Sequence, residues 1–291
     1  MRAALAVLLA ATTATLYALS TSLQALEARR TPRAAALRAS LLVGLARRPL
    51  WLAGTAAGVA AWPAQAGALS LGSVALVQPA LGFGLVALLA LGVLVLKEPV
   101  GAREVAGTLA IAGAVALLAW AAPSSTGAFT STGTWVVGGL LVLVGPAPYV
   151  LRWTGLGGGL PTSLAAGIAW AWVGLVTALV DQALSGRHWL AALGWALAVA
   201  AASWGGLLAE MTSLQTWPAT RAIPIAFGLE MLLPAAVAPA LTRAPVPHPA
   251  AVGVGLACAS LGALLLGTSR AVAGAATAPA PTGNAAGVEV G

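Results

Sequence analysis

The chain has 291 residues, of which 60% are hydrophobic and 7% charged. So few polar residues cannot clothe a soluble core of that size, which excludes a soluble globular domain and leaves a polytopic membrane protein. The formal net charge of +7 comes from 13 Arg and one Lys against seven acids. These positives lie in loops between apolar runs, so they read as topology signals and not as a nucleic-acid surface.

Taken in order, residues 3–25 form the first apolar run, preceded by Arg2. A secretory signal peptide competes for this stretch, but the run is long for one and is read as a span. Loop 26–49 then gathers Arg29, Arg30, Arg33, Arg38, Arg47 and Arg48, and should face the cytoplasm. Residues 34–46 within it suit a short amphipathic helix on the membrane surface.

Further spans are expected at about 50–69, 73–96, 105–122, 134–151, 162–180, 189–209, 219–241 and 250–267. Residues 74–96 carry no charge and are long enough to cross a hydrocarbon core of about 30 Å at about 1.5 Å per residue. Lys97, Glu98, Arg103 and Glu104 crowd into the next eight residues and form the polar tip of a helical hairpin. The tail from Ala271 is Ala, Gly, Pro and Thr without an apolar run, so it is expected to be disordered. Cys258 is the single cysteine, which excludes an intrachain disulfide.

Nine spans place the two termini on opposite sides. With the amino terminus outside, the inner face collects ten basic residues, among them Lys97, Arg103, Arg152 and Arg270, against Arg2, Arg187 and Arg243 outside. Trp51, Trp120, Trp135, Trp153, Trp189 and Trp217 fall near span ends, as interfacial anchors do. Trp62, Trp170, Trp172, Trp195 and Trp204 fall inside spans, where helix packing explains them more often than a ligand does.

The order Ala68-Leu69, Gly72-Ser73, Pro79, Lys97-Glu98, then Gly107 with Gly113, resembles the drug/metabolite transporter superfamily, its EamA-type permeases and their NIPA-like magnesium-transporter relatives. The resemblance covers the first half well and the second in outline. It implies two five-helix halves related by an inverted repeat, and it gives Glu98 a recurring position at its helix end. Nine spans then divide as four plus five: residues 1–122 form one half-bundle and 134–267 the other, with the first helix of the first half absent.

An offset of 145 residues lays Gly72–Pro79 on Trp217–Pro224, and so the third span on the eighth and the fourth on the ninth. An odd displacement in span count makes the copies cross in opposite senses, the arrangement of inverted-repeat transporters. Paired prolines inside such spans, here Pro79 and Pro224, point to a midplane pocket. Gln78 and Gln65 stand near the first proline. Kinks and close packing explain the prolines equally well, as they do Gly54-x-x-x-Gly58.

Ionisable residues within spans are a sharper signal, because a charge at the bilayer centre costs about 2.5–3.5 kcal/mol on insertion scales. Glu230 is the acid at the middle of a predicted span. It is expected to bind a proton, a cation or a cationic substrate, with a permanently protonated, hydrogen-bonded side chain as the competing reading. Glu210 is expected to meet Arg221 across the connection containing Gln215, as an inner gate or structural ion pair. Lys97 and Glu98 are expected to form a solvated turn, and Asp181, His188 and His248 to be hydrated at the interfaces.

No HExxH, phosphate-binding Gly loop or nucleophile-base pair occurs, so neither an enzyme nor a cofactor is expected. The expected protein is an all-helical secondary transporter moving a small metabolite or drug-like solute by alternating access. Spans two, three, seven and eight line its site, and an ion gradient or the solute's own drives it. A magnesium route is a narrower version, disfavoured because hard cations want several oxygens and one midplane carboxylate is in view. A non-transporting membrane partner is the reading from a different class, and a homodimer is compatible with either. The Ala-rich, Arg-over-Lys composition suggests a bacterial cytoplasmic membrane.

Overall fold

Hydrocarbon offers backbone groups no water to bond, so apolar runs of this length must satisfy their N–H and C=O groups internally, as helices. The computed structural model, which describes residues 2–71, 74–121, 129–144, 146–155, 158–242 and 248–267, is all-helical. Its α-helices among the described residues are α1 (Arg2–Arg29), α2 (Ala39–Leu45), α3 (Pro49–Leu71), α4 (Val74–Leu94), α5 (Ala102–Ala121), α6 (Ser131–Val144), α7 (Ala147–Trp153), α8 (Leu160–Ser185), α9 (Trp189–Thr216), α10 (Ala219–Thr242) and α11 (Pro249–Gly267). Each expected span lies on helix, the fifth being divided into α6 and α7 around Pro146. Four helical stretches among the described residues are long and apolar enough to cross a membrane: Ala4–Arg29, Leu160–Ser185, Trp189–Thr216 and Pro249–Leu266. The architecture is compatible with a membrane helical bundle.

Polar contacts sort the connections onto two ends. Gln215 Nε2 donates to Thr31 Oγ1 at 2.6 Å, Gly159 N–H donates to Thr216 Oγ1 at 3.0 Å, and Arg29 pairs with Glu98. The connections 30–48, 95–101 and 217–218, with residues 158–159, therefore share one end, which carries most of the arginines. At the other end Phe129 N–H donates to Gln182 Oε1 at 3.0 Å, Thr130 N–H donates to the Leu241 carbonyl at 3.1 Å, and the rings of Trp120 and His248 stack 4.4 Å apart.

Within this frame α1 lies against α3 and α4, α8 lies against α9 and α10, and α5 meets α11. The second set repeats the packing of the first. It also reverses direction: α1 ends where α8 begins, and α4 descends to the arginine-rich end from which α10 departs. α6 and α7 have no counterpart within α1–α5.

Small residues permit the close crossings, since without a hydrophobic drive between helices in lipid, contact area decides. A Cβ on Gly54 would come within 2.9 Å of the Ser20 carbonyl of α1, and one on Gly58 within 2.9 Å of Ser20 Oγ, which gives Gly54-x-x-x-Gly58 its packing role. Where α5 crosses α11, a Cβ on Gly262 would lie 2.6 Å from the Gly107 carbonyl.

Three expectations about the periphery change. Helix α2 turns Leu41, Leu42 and Leu45 onto Leu208, Met211 and Leu214 of α9, so its apolar face is spent on the protein and not on a membrane surface. Trp51 is no interfacial anchor either. It is buried, with Nε1–H directed at Met211 Sδ 3.4 Å away, whereas Trp120, Trp135, Trp153 and Trp189 are exposed as anchors should be. Glu98 and Glu104 are buried and not solvated at a hairpin tip. The tail from Ala271, Arg243 and Arg270 lie outside the described residues, as does the side chain of Asp181; His188 and His248 are exposed as expected.

Candidate functional site

Three alanines bring α8, α9 and α10 together. Ala166 of α8, Ala209 of α9 and Ala226 of α10 form one buried cluster with Trp170 against it. Residues four apart share a helix face about 6 Å along the axis. Trp170 therefore stands one turn beyond Ala166, and Glu230 one turn beyond Ala226. Because α8 and α10 flank α9 through tight turns, they run in the same direction, so both side chains reach one level. Glu210 adjoins Ala209 on the antiparallel α9.

Trp170 Nε1–H donates to Glu210 Oε2 at 2.8 Å. Glu230 stands on α10 one turn beyond Ala226, which shares its cluster with Ala209 beside Glu210. On α1, Tyr17 donates to Gln65 Oε1 of α3 at 3.1 Å. All five side chains are half-buried, although Tyr17 and Glu230 sit near the middle of their helices. Among the described residues neither Glu210 nor Glu230 has a basic partner.

A second polar group closes the arginine-rich end. Lys97 takes φ +53°, in the left-handed region, and turns the chain so that Glu98 points back beneath α10. Its carboxylate accepts the N–H groups of Ala219 at 2.7 Å and Thr220 at 2.9 Å, together with the Thr220 hydroxyl at 2.5 Å and Arg29 Nη2. The first N–H groups of a helix have no partner within it, and the dipole there favours an anion, so this is a cap supplied from a different hairpin. A Cβ on Gly92 would overlap the Thr220 methyl, so glycine is what lets α10 come this close to α4. Glu104 accepts the Gly101 N–H at 2.9 Å at the start of its own helix and Arg221 Nη2 at 2.6 Å. Arg221 is 1% exposed, and its Nε has no hydrogen-bond partner. Glu27 joins Arg30 at 2.7 Å and Arg48 at 2.8 Å, tying α1 to the start of α3.

The expected Glu210–Arg221 pair is thus overturned. Glu210 lies six residues before the end of α9, about 9 Å along the axis, while Arg221 and Glu104 each stand about 3 Å inside their helices. Arg221 meets the acid at its own level. Glu210 accepts from Trp170 instead, and Gln215 secures the loop after α1, with its Oε1 left unpartnered. Pro224 is buried within α10, one turn above Thr220, whose carbonyl it cannot serve. The side chains of Gln78 and Pro79 lie outside the described residues. Gln65 lies at the cluster and also borders an open groove of ≈ 560 Å³ with Trp62, Pro63 and Ala66. An apolar groove of ≈ 650 Å³ lies apart from both polar groups, between Trp135 and Gly138 of α6 and Gly194 and Trp195 of α9.

No protein-family model, curated protein or solved structure matches the chain. The resemblance to the drug/metabolite transporters accordingly rests on the residue pattern alone. Sequence reasoning missed Tyr17, Arg29 and Glu104, and underweighted Glu98 and Trp170. The available signal was scarcity. With seven acids in 291 residues, each one beside an apolar run has few ways to be neutralised, and a cap or a buried pair is the commonest.

Proposed function

We propose that the protein is a secondary transporter that moves a small solute across a cytoplasmic membrane by alternating access. The observation that carries this reading is a pair of similarly packed, oppositely directed helix sets with two carboxylates in the second, Glu210 and Glu230, that have no basic partner among the described residues. A charge at membrane depth is retained where it faces a pathway or a partner, and inverted sets enclosing a midplane site are how such transporters expose that site to each side in turn. The site is the Tyr17, Gln65, Trp170, Glu210 and Glu230 cluster.

The arginine-rich end, facing the cytoplasm, supplies the closure. Arg29, Glu98 and Glu104 come from the first set, and the α10 terminus and Arg221 from the second, so opening that end requires parting them. A magnesium route gains a second carboxylate from this arrangement. Against it, no group of three or more His, Cys, Asp or Glu side chains among the described residues could hold a metal ion.

The test is uptake by purified protein in liposomes, screened over metabolites with and without a proton gradient. Glu230→Gln should slow uptake at least tenfold and flatten its pH dependence. A wild-type rate with wild-type pH dependence in that variant would remove Glu230 from the pathway.

A further inference from the structure

At the arginine-rich end the acids are all engaged inside the protein: Glu27 with Arg30 and Arg48, Glu98 with Arg29 and the start of α10, Glu104 with Arg221. Arg33, Arg38 and Arg47 remain. All three are exposed, and none joins an ion pair among the described residues. They lie on the connection 30–48, which is held as a fixed surface. Gln215 donates to Thr31 and Pro32, the N–H of the buried Leu37 donates to Thr212 Oγ1 at 3.0 Å, and the leucines of α2 are seated on α9.

Helix length gives the depth of this surface. The 28 residues of α9 span about 42 Å, which matches a bilayer of about 40–45 Å with its headgroups. Leu208, Met211 and Leu214, on which α2 packs, lie about 3–12 Å from the Thr216 end of that helix. Helix α2 is therefore held at headgroup depth. Its leucines point inward, while Ser40, Val43, Gly44 and then Arg47 recur at i, i+3, i+4 and i+7 on the outer face, and all are exposed. A Cβ on Gly44 would meet nothing within 4 Å, so the protein leaves this face open. Just beyond Arg47, Leu50 and Leu52 of α3 are exposed apolar side chains.

From this placement we propose that the outer face of the connection 30–48 is a docking surface for anionic phospholipid of the cytoplasmic leaflet. Arg33, Arg38 and Arg47 hold the headgroup phosphates, and Leu50 and Leu52 take the acyl chains. The inference rests on the membrane reading alone and stands whether or not a solute is transported. A guanidinium meets a phosphate through paired, charge-assisted hydrogen bonds, and the negative potential of an anionic leaflet draws basic residues held near it. A zwitterionic headgroup carries its own ammonium and has less need of these arginines. Sited at headgroup depth, the face meets lipid before it meets any soluble polyanion.

The experiment adds phosphatidylglycerol, phosphatidylcholine or glycerol phosphate to the purified full chain in nonionic detergent. Retained molecules are read by native mass spectrometry, and melting by tryptophan fluorescence. Phosphatidylglycerol should be retained and raise the melting temperature, less so at high salt, with phosphatidylcholine held roughly tenfold more weakly. Arg33→Gln, Arg38→Gln and Arg47→Gln should each weaken phosphatidylglycerol retention about fivefold, and the triple variant should lose the preference. Its melting temperature without lipid should match wild type, since these side chains have no partner in the protein. Arg187→Gln, at the opposite end, should leave the preference intact. Equal retention of the two lipids by the wild-type protein, a preference that survives in the triple variant, or an equal loss in Arg187→Gln would overturn the proposal. So would glycerol phosphate binding as tightly as the lipid, which would mark a site for a free anion.

Discussion

Removing the Glu98 carboxylate is the perturbation whose cost can be worked most fully. Glu98 accepts two backbone N–H groups at the start of α10, the Thr220 hydroxyl and the Arg29 guanidinium. Hydrogen bonds to a charged group contribute about 1.5–3 kcal/mol each and do not add fully. An anion at a helix start adds about 0.3–2 kcal/mol. Glu98→Ala also opens space beneath α10 and strands those donors, which places its cost near 3–5 kcal/mol, the range for breaking a buried charge arrangement.

Glu98→Gln keeps the shape and one acceptor oxygen, and should cost about 2 kcal/mol. Arg29→Ala should cost about 1 kcal/mol, because the Arg29 side chain is 29% exposed and the carboxylate keeps three other donors. The assay is denaturant or thermal unfolding of the purified protein in detergent, followed by tryptophan fluorescence. The expected order is Glu98→Ala, then Glu98→Gln, then Arg29→Ala. An Arg29→Ala loss as large as that of Glu98→Ala would mean that the ion pair, and not the helix cap, holds this end. A Glu98→Ala loss below about 0.5 kcal/mol would refute the capping argument outright.

Arg221→Gln should cost about 3 kcal/mol by leaving Glu104 buried with one fewer donor, and the Glu104→Gln, Arg221→Gln pair should recover part of that loss in a double-mutant cycle. Gly262→Val places side-chain carbon against the Gly107 carbonyl and should destabilise by about 1–3 kcal/mol through separation of α5 from α11, seen as a lowered melting temperature. Trp170→Phe removes the hydrogen bond to Glu210 while keeping the ring; solute affinity should fall by about tenfold with little change in melting temperature. Single cysteines in a Cys258→Ser background check the topology. Arg38→Cys should react with an impermeant maleimide from the cytoplasmic side and Arg187→Cys from the opposite side.

Much of the fold was legible because apolar length is a local property. The run 189–209 announces a span from composition alone, but α9 continues to Thr216. The extension carries Glu210, Thr212, Ser213 and Gln215, which look like the end of a membrane segment when read singly. They are tolerated because each finds a partner: Trp170, the Leu37 N–H, the Glu210 carbonyl and Thr31. Glu104 shows the same limit from the other side. Next to Lys97, Glu98 and Arg103 it reads as one of a hydrated group, and its burial follows from Arg221, 117 residues later in sequence.

Within the site Glu230 was legible by position, as an acid in the middle of an apolar run. Glu210 was named as well, but for a pair with Arg221 that it does not make; Tyr17 was not, because a phenol in a long helix has an ordinary explanation. What distinguishes them is the register of α8, α9 and α10 on Ala166, Ala209 and Ala226. That register depends on which small residues face each other, and periodicity does not encode it. Helices α4 and α10, which carry Pro79 and Pro224, run between the same two ends in opposite directions.

Alternating access is tested most directly by reaching the cluster from both sides. Tyr17→Cys in a Cys258→Ser background would be exposed to a membrane-impermeant thiol reagent in right-side-out and in inside-out vesicles. The expected result is labelling in both preparations, slowed in both by saturating solute. Labelling from one side only, or from neither, would contradict a site presented to each face in turn.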